Sequence, residues 1–458
     1  MLILFLAGAL CLSAADWTRF RGPNGSGVAE AANLPVKFGP TSNVAWKAAV
    51  PFGRSSPILA GGHVYVTASE GGALITLAYD AVSGRLLWRR ELQNQHRQKI
   101  YKANDAASPT PAADGQGVYV FFPDFGLAAY SPDGKERWRR PLGPFDNYYG
   151  ISSSPVIANG MLILLCDQAK GSFLLALDKD TGKQRWRTER REQLEGWAVP
   201  IVYQDQIIAV GSARVDSYYL ETGEPRWWIP NTSSGSMGSP VIHGERLIVT
   251  ALGSDQPWMP AFATMIAKVD KDGDGRLSIA ESEKETDWFE HFAWVDSNHD
   301  KLLDESEWAA ARALGVGEYG AISLPLDGKG RLDASAIAWR FSRNVPYVPS
   351  PLVYDGVFYM VKTGGIVTSL DPATGAMHKQ GRAGNAGGEY WASPVAGDGK
   401  LFLLSGEGKL TVMKAGAEWE VLAVNDLEEE CFATPAIGMD RLYVRTRGTL
   451  YAFAAASK

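Results

Sequence analysis

The 458-residue chain has few cysteines, few histidines and no long apolar run, and each shortage excludes a class of protein. Of three cysteines, Cys11 falls in an apolar N-terminal stretch, while Cys166 and Cys431 stand far apart in apolar surroundings. Two distant cysteines make no disulfide framework; buried free thiols are expected, with a single bridge as the alternative. The six histidines (His63, His96, His243, His291, His299 and His378) show no metal-ligand spacing such as His-Glu-x-x-His. There is no Gly-x-Ser-x-Gly elbow and no phosphate loop, and Gly384-Asn-Ala-Gly-Gly388 reads as an ordinary loop. No stretch reaches eighteen apolar residues, so no transmembrane helix is expected. A formal net charge of −6 leaves no basic footprint for nucleic acid.

Residues 1–15 form an apolar run that ends in small residues and is too short to span a bilayer. The run reads as a secretory signal cleaved after Ala15, without the usual positive charge near its start. The mature chain is therefore expected to be secreted or periplasmic.

Acidity is concentrated in one segment. Residues 270–307 hold thirteen Asp/Glu and four Lys/Arg, a net of −9, which leaves +3 for the rest of the chain. Within it, residues 270–281 read Asp-Lys-Asp-Gly-Asp-Gly-Arg-Leu-Ser-Ile-Ala-Glu, a complete EF-hand loop. Calcium takes six to eight hard oxygen ligands. Asp270, Asp272 and Asp274 offer carboxylates, Arg276 a backbone carbonyl, Ser278 a water-mediated ligand and Glu281 a bidentate carboxylate, while Gly275 permits the sharp turn. A second loop offers Asp296, Asn298, Asp300, Leu302, Asp304 and Glu307, but Lys301 stands where glycine is usual. Left-handed backbone at a non-glycine residue costs about 1 kcal/mol or more, which makes this the weaker Ca2+ site. Only fourteen residues separate the loops, so the pair must be compact. Phe262, Met265, Ile266, Trp288, Phe289, Phe292, Trp294 and Trp308 flank them as packing between the two hands.

The rest of the chain repeats. A unit opens Ser154-Pro155, continues through apolar strands at 161–166 and 173–177, turns at Thr181-Gly182, and ends in a strand that carries Trp186. Other units open at Ser56-Pro57, Ser108-Pro109, Val199-Pro200, Ser239-Pro240, Ser350-Pro351, Ser393-Pro394 and Thr434-Pro435. The proline-to-proline steps are 52, 46, 45, 40, 111, 43 and 41 residues, and all but one match the period of a propeller blade. The long step contains the acidic loops, which makes them an insertion in the fifth unit. A tryptophan follows the turn glycine by four residues at Trp88, Trp138, Trp186 and Trp227, with Trp339 equivalent, Lys379 in its place in the sixth unit and Trp419 one residue out of register. These indoles are expected between neighbouring blades, with each N–H on a backbone carbonyl. The eighth unit lacks an outer strand, and residues 43–47, with Trp46, are expected to supply it and close the ring.

The Ser-Pro start, the Asp-x-x-Thr-Gly-x-x-x-Trp element and the eightfold count resemble the pyrroloquinoline-quinone-like (PQQ-like) β-propeller repeat proteins, and Trp17-Thr-Arg-Phe-Arg21-Gly-Pro-Asn-Gly25 resembles the opening of their secreted bacterial members. The resemblance implies an all-β fold: an eight-bladed propeller of four-stranded antiparallel blades with a small α-helical EF-hand pair inserted in the fifth. The expected divisions are the signal 1–15, propeller 16–252, insertion 253–321 and propeller 322–458. One branch of the family comprises quinoprotein dehydrogenases, many of which carry a vicinal Cys-Cys pair beside the quinone, with a calcium held by the propeller. Another comprises scaffolds that present loops to protein partners. This chain has no adjacent cysteines, so PQQ is not favoured, no catalytic residue is assigned and the cofactor-binding residues are unknown. The reading is a calcium-binding, monomeric interaction scaffold; the alternatives are a PQQ-dependent alcohol or sugar dehydrogenase and a carbohydrate-binding propeller using Trp197, Tyr390 and Trp391. The loops ahead of each repeat form the candidate binding face: Arg54, Asn104, Asp105, Tyr148, Tyr149, Glu195, Trp197, Met237, Asn344, Tyr347, Glu389, Tyr390, Trp391 and Glu428 to Glu430.

Overall fold

The computed structural model describes residues 16–98, 104–212, 214–230, 232, 237–251, 259–283, 292–296, 300–313 and 320–456. The signal segment 1–15, Trp288, Phe289, His291, Asn298 and His299 lie outside them.

Eight four-stranded antiparallel sheets form a closed propeller. The innermost strand of each is three residues long: Ile58–Ala60, Ala112–Asp114, Val156–Ala158, Ile201–Tyr203, Val241–His243, Leu352–Tyr354, Val395–Gly397 and Ala436–Gly438 in blades 1 to 8. Each begins directly after a proline, which fixes its own φ and holds the preceding residue extended. The second blade therefore starts at Thr110-Pro111, not at the expected Ser108-Pro109.

Burial follows position in the blade. The second and third strands lie between neighbouring blades and read as nearly continuous apolar runs, such as Met161–Cys166, buried throughout. Outer strands face solvent; in Gln184–Glu189 only Trp186 is buried. The core is accordingly a series of apolar clusters between adjacent blades, such as Tyr119, Trp138, Leu164 and Leu175 between blades 2 and 3. Cys166 and Cys431 are both buried free thiols, and burial pushes Cys431 up to about 12.

The Thr-Gly turn and the tryptophan form one device that spans two blades. Asp178 accepts hydrogen bonds from the Thr181 amide (3.0 Å) and hydroxyl (2.8 Å), and Gly182 follows with φ 69°. Trp138 of the preceding blade lies flat on Gly182, where a Cβ would come within 2.7 Å of the indole, and its N–H donates to the Lys179 carbonyl at 2.9 Å. Trp46, Trp88, Trp186, Trp227 and Trp339 repeat the contact on Gly84, Gly134, Gly223, Gly328 and Gly375. In blade 6, Lys379 takes the indole's place and lies 4.5 Å from the centre of the Trp419 ring.

The ring closes as expected. Val44–Ala49 pairs antiparallel with Thr449–Ala454, and Trp46 then stacks on Gly84 of blade 1. Residues 17–29 cross the axial channel. Their backbone or side chains bond to Leu59, Ala113, Val202 and Ala396, which belong to the innermost strands of blades 1, 2, 4 and 7.

Between Ala251 and Gly320 the chain leaves blade 5 for a helical segment with its own core of Met265, Val269, Leu277, Leu303 and Trp308. Helices run over Phe262–Val269, Ile279–Ser282, Phe292–Val295 and Glu305–Ala313, and the pair Leu277–Ser278 bonds antiparallel to Leu302–Leu303. Past this segment, Gly330–Arg331 adds an unforeseen parallel fifth strand to blade 4.

Trp46→Ala should lower unfolding free energy by about 3–5 kcal/mol, as for other buried tryptophans, because it removes both the closing strand's anchor and the cover of Gly84. Equilibrium unfolding in urea measures this, and deletion of 43–47 should cost more.

Candidate functional site

The residue before each blade proline has a second role. The Ser56 amide donates to Thr110 Oγ1 (3.0 Å), Thr110 to Ser154 Oγ (2.9 Å), Val199 to Ser239 (3.1 Å), Ser239 to Ser350 (2.9 Å), Ser350 to Ser393 (3.0 Å) and Ser393 to Thr434 (3.0 Å). Thr434 donates back to Ser56 Oγ at 3.0 Å. A belt of backbone-to-hydroxyl bonds thus runs round the axis with one gap, where Val199 offers Ser154 no hydroxyl.

Above this belt lies a pocket of about 380 Å³. Side chains alternate along an extended strand, so the residue three before each proline faces the axis with the belt residue. All eight such residues line the pocket: Arg54, Ser108, Ser152, Trp197, Met237, Val348, Trp391 and Phe432. Asn104, Tyr149 and Tyr347 join them from longer loops, and Phe20 reaches in from the crossing segment. Trp197 is fixed by N–H bonds to Asn147 and Gly150 (both 3.1 Å) and packs edge-on against Tyr149. Arg54 lies 4.0 Å from the centre of the Phe432 ring and 3.6 Å from Asp105. Burial is the main force pushing Arg54 down, opposed by Asp105.

Seven of the expected face residues therefore meet: Arg54, Asn104, Tyr149, Trp197, Met237, Tyr347 and Trp391. The others do not line the pocket. Tyr390 is buried in the core, with its hydroxyl on the Ala386 carbonyl at 2.8 Å, so it cannot stack a sugar beside Trp391. Glu195 is buried and accepts from the Tyr148 amide. Glu389 accepts from Thr363, Glu429 accepts from Thr446, Glu430 pairs with Arg447, and Asn344 bonds to Gln380. The sequence reading of the face missed Phe20, Ser108, Ser152, Val348 and Phe432; counting three residues back from each blade proline would have found the last four.

In the acidic segment, carboxylate oxygens of Asp270, Asp272 and Asp274 lie within 4.8 Å of one another. Asp270 accepts from the amides of Gly273 (2.7 Å) and Gly275 (3.1 Å), which curls the loop around it, and Gly275 has φ 76°. Glu281 bonds to Ser278 Oγ (2.6 Å) and to the amides of Lys271 (2.8 Å) and Ser278 (3.0 Å). These bonds, the Ser278 hydroxyl foremost, hold its carboxyl down at about 2. The second loop repeats the scheme: Asp296 accepts from Asp300 and Lys301, and Glu307 from Asp304. Lys301 adopts the left-handed conformation expected at that position, φ 68°. The strand pair Leu277–Ser278 and Leu302–Leu303 ties the loops together, and Ser306, before the adjacent Glu307 amide, holds Asp304 down. The donor set is entirely oxygen, as a hard divalent cation requires.

A family model described as outer membrane protein assembly factor BamB matches residues 36–171 and 170–458. Among solved structures, BamB from Moraxella catarrhalis aligns with TM-score 0.54 and 11% identity over 89% of this chain and 98% of its own. Quinohemoprotein alcohol dehydrogenase from Comamonas testosteroni aligns with TM-score 0.59 and 13% identity over 97% of this chain and 81% of its own. At these identities the likeness is one of fold. No curated protein sequence matches the chain.

Thr434→Val keeps the shape but leaves the Ser393 amide without its acceptor, and should cost about 1–3 kcal/mol. Val199→Thr should act in the opposite direction by supplying Ser154 with an acceptor, by about 1 kcal/mol. Thermal unfolding of the two variants checks both signs.

Proposed function

The chain belongs to the family of outer membrane protein assembly factor BamB, and from that membership we propose that it is a calcium-binding interaction scaffold working outside the cytoplasm. The observation that carries this reading is the chemistry of the axial pocket. Its described lining is aromatic, aliphatic and hydroxylic, with Arg54 as the sole ionisable side chain apart from tyrosine. Among the described residues that line it there is no carboxylate or imidazole to act as a general base. Rigid aromatic side chains around a concavity suit the capture of a partner's side chain or a small ligand.

The same donor set is a poor fit for the quinone of the dehydrogenase alternative. That cofactor is a tricarboxylate which works beside a metal ion, and the described lining offers it one guanidinium and no carboxylate ligand for the metal. No step is therefore assigned to it. The carbohydrate alternative loses Tyr390 to the core.

Calcium belongs to the segment between Ala251 and Gly320, which we read as an EF-hand pair inserted in blade 5. Asp270, Asp272, Asp274 and Glu281 would hold the first ion with the Arg276 carbonyl and a water on Ser278. Asp296, Asn298, Asp300, Asp304 and Glu307 would hold the second with the Leu302 carbonyl. The ions offset a local charge of −9 and order the loops as a structural module, with affinity on the order of 10⁻⁴–10⁻³ M, as for other extracellular sites. In this reading the apolar run 1–15 is the export signal. Among the described residues no helix is long and apolar enough to cross a membrane.

Calorimetric titration should show one calcium event lost in Asp270→Ala and in Glu281→Ala, with the weaker event retained. Unchanged binding in both variants would rule out the first loop. Reconstitution with the quinone and calcium should give no dye reduction with alcohols or sugars, and clear turnover would replace the scaffold reading with the dehydrogenase one.

A further inference from the structure

Two arginines of the crossing segment are buried with no acidic partner among the described residues. Arg19 is 6% exposed and Arg21 is 0% exposed. Arg19 Nη2 donates to the Pro200 carbonyl at 2.7 Å; Arg21 Nη2 donates to the Ser26 carbonyl at 3.2 Å and to the Pro351 carbonyl. Arg19 Nε, Arg21 Nε and Arg21 Nη1 have no acceptor among the described residues. A guanidinium carries five N–H donors and keeps its charge in proteins. Burial pushes Arg19 down to about 10, and burial together with the Arg19 cation pushes Arg21 down to about 9. Arg190, equally buried, shows the usual remedy, with Asp167 at 2.7 Å and Asp216 at 3.1 Å.

The position of the pair along the axis is defined. Pro200 and Pro351 each follow a belt residue, whereas Leu59, Ala113, Val202 and Ala396, which bond to the crossing segment, each lie three residues past one. The guanidinium ends therefore lie between the level of the crossing segment and that of the belt, buried against the Pro200 and Pro351 carbonyls and outside the lining of the pocket. The belt adds donors of its own. Each of its seven hydroxyl oxygens accepts an amide, and among the described residues none of the seven is seen to donate onward. A hydroxyl that accepts one bond still has its O–H to give.

We propose that the axial channel binds a small oxyanion, held by Arg19 and Arg21 beneath the hydroxyl belt. Two paired cations in a low-dielectric interior are costly without a counter-charge, and forked guanidinium donors match the geometry of an oxyanion. The site does not depend on the calcium or scaffold readings.

Inorganic sulfate is the probe, applied to the full chain with calcium present and chloride exchanged at constant ionic strength. Millimolar sulfate is expected to raise Tm along a saturating curve and to give a single calorimetric binding event. Arg21→Met should weaken that binding at least about tenfold, while its Tm without sulfate equals or exceeds the wild type's, because a buried unpaired charge has been removed. Asp270→Ala should bind sulfate unchanged, which separates this site from the calcium reading. Crystals soaked in selenate should show an anomalous peak between Arg19 and Arg21, a readout that stands even if Arg21→Met does not fold. Two results overturn the proposal: wild type with neither a binding event nor a selenate peak, or Arg21→Met with an undiminished response, since salting-out by sulfate needs no site.

Discussion

The belt of amide-to-hydroxyl bonds is the constraint on which the rest of the molecule depends. Except at the gap between Ser154 and Val199, each member receives one bond from the blade before and donates one to the blade after, so the innermost strands share one level around the axis. Only a residue with a side-chain acceptor and a free amide can serve, and Ser or Thr before Pro is the shortest solution. The proline holds its predecessor extended, which aims the hydroxyl at the neighbouring blade. With that level fixed, the residue two positions earlier is fixed on the same face, and eight such residues become the pocket wall. The pocket is thus a consequence of how the ring is fastened. Some wall side chains also tie neighbouring blades: Trp197 bonds to Asn147 and Gly150, and Arg54 lies on the Phe432 ring.

The periodicity exposed the fold because physical requirements recur: a proline ahead of every inner strand, a glycine under an indole at six junctions, and an aspartate that caps the turn in blades 1, 3 and 6. The missing outer strand of blade 8 was legible for the same reason, since Trp46 had no other place in the count. The start of blade 2 was misplaced because Ser108-Pro-Thr110-Pro111 holds two candidates, and only the belt bonds decide for Thr110. The pocket was legible in part. Residues near each proline pointed to one face, but sequence proximity does not separate Tyr390, which turns into the core, from Trp391, which lines the pocket. That distinction is the two-residue period of an extended strand. Phe20 and the arginines beside it were beyond reach, because nothing in residues 17–25 records that this segment crosses the channel.

The propeller and the acidic segment divide the labour between rigidity and charge. The body carries +3 and has its apolar surface between blades, while the inserted segment carries −9 in residues 270–307 and packs on its own core. Amides within each loop donate to the loop's own first carboxylate, which curls the loop around it. A cation would then bind to carboxylates already gathered, with less ordering left to do, and part of the local repulsion would be relieved.

The gap in the belt falls at one interface, and that interface carries a substitute. Between blades 3 and 4, Val199 gives Ser154 no acceptor, and the nearest replacement is the Ser153 hydroxyl on the Ala198 carbonyl at 3.1 Å. The fully buried ion pairs among the described residues occur at the same interface. Arg190, leaving blade 3, joins Asp167 at the end of a blade 3 strand to Asp216 and Tyr218 of blade 4. A buried ion pair adds little net stability over a hydrophobic replacement, but its partners cannot be shifted without leaving a charge unpaired. It therefore fixes register more firmly than it stabilises. One hydroxyl can be lost from the belt at this joint because the Arg190 cluster already defines how the two blades meet.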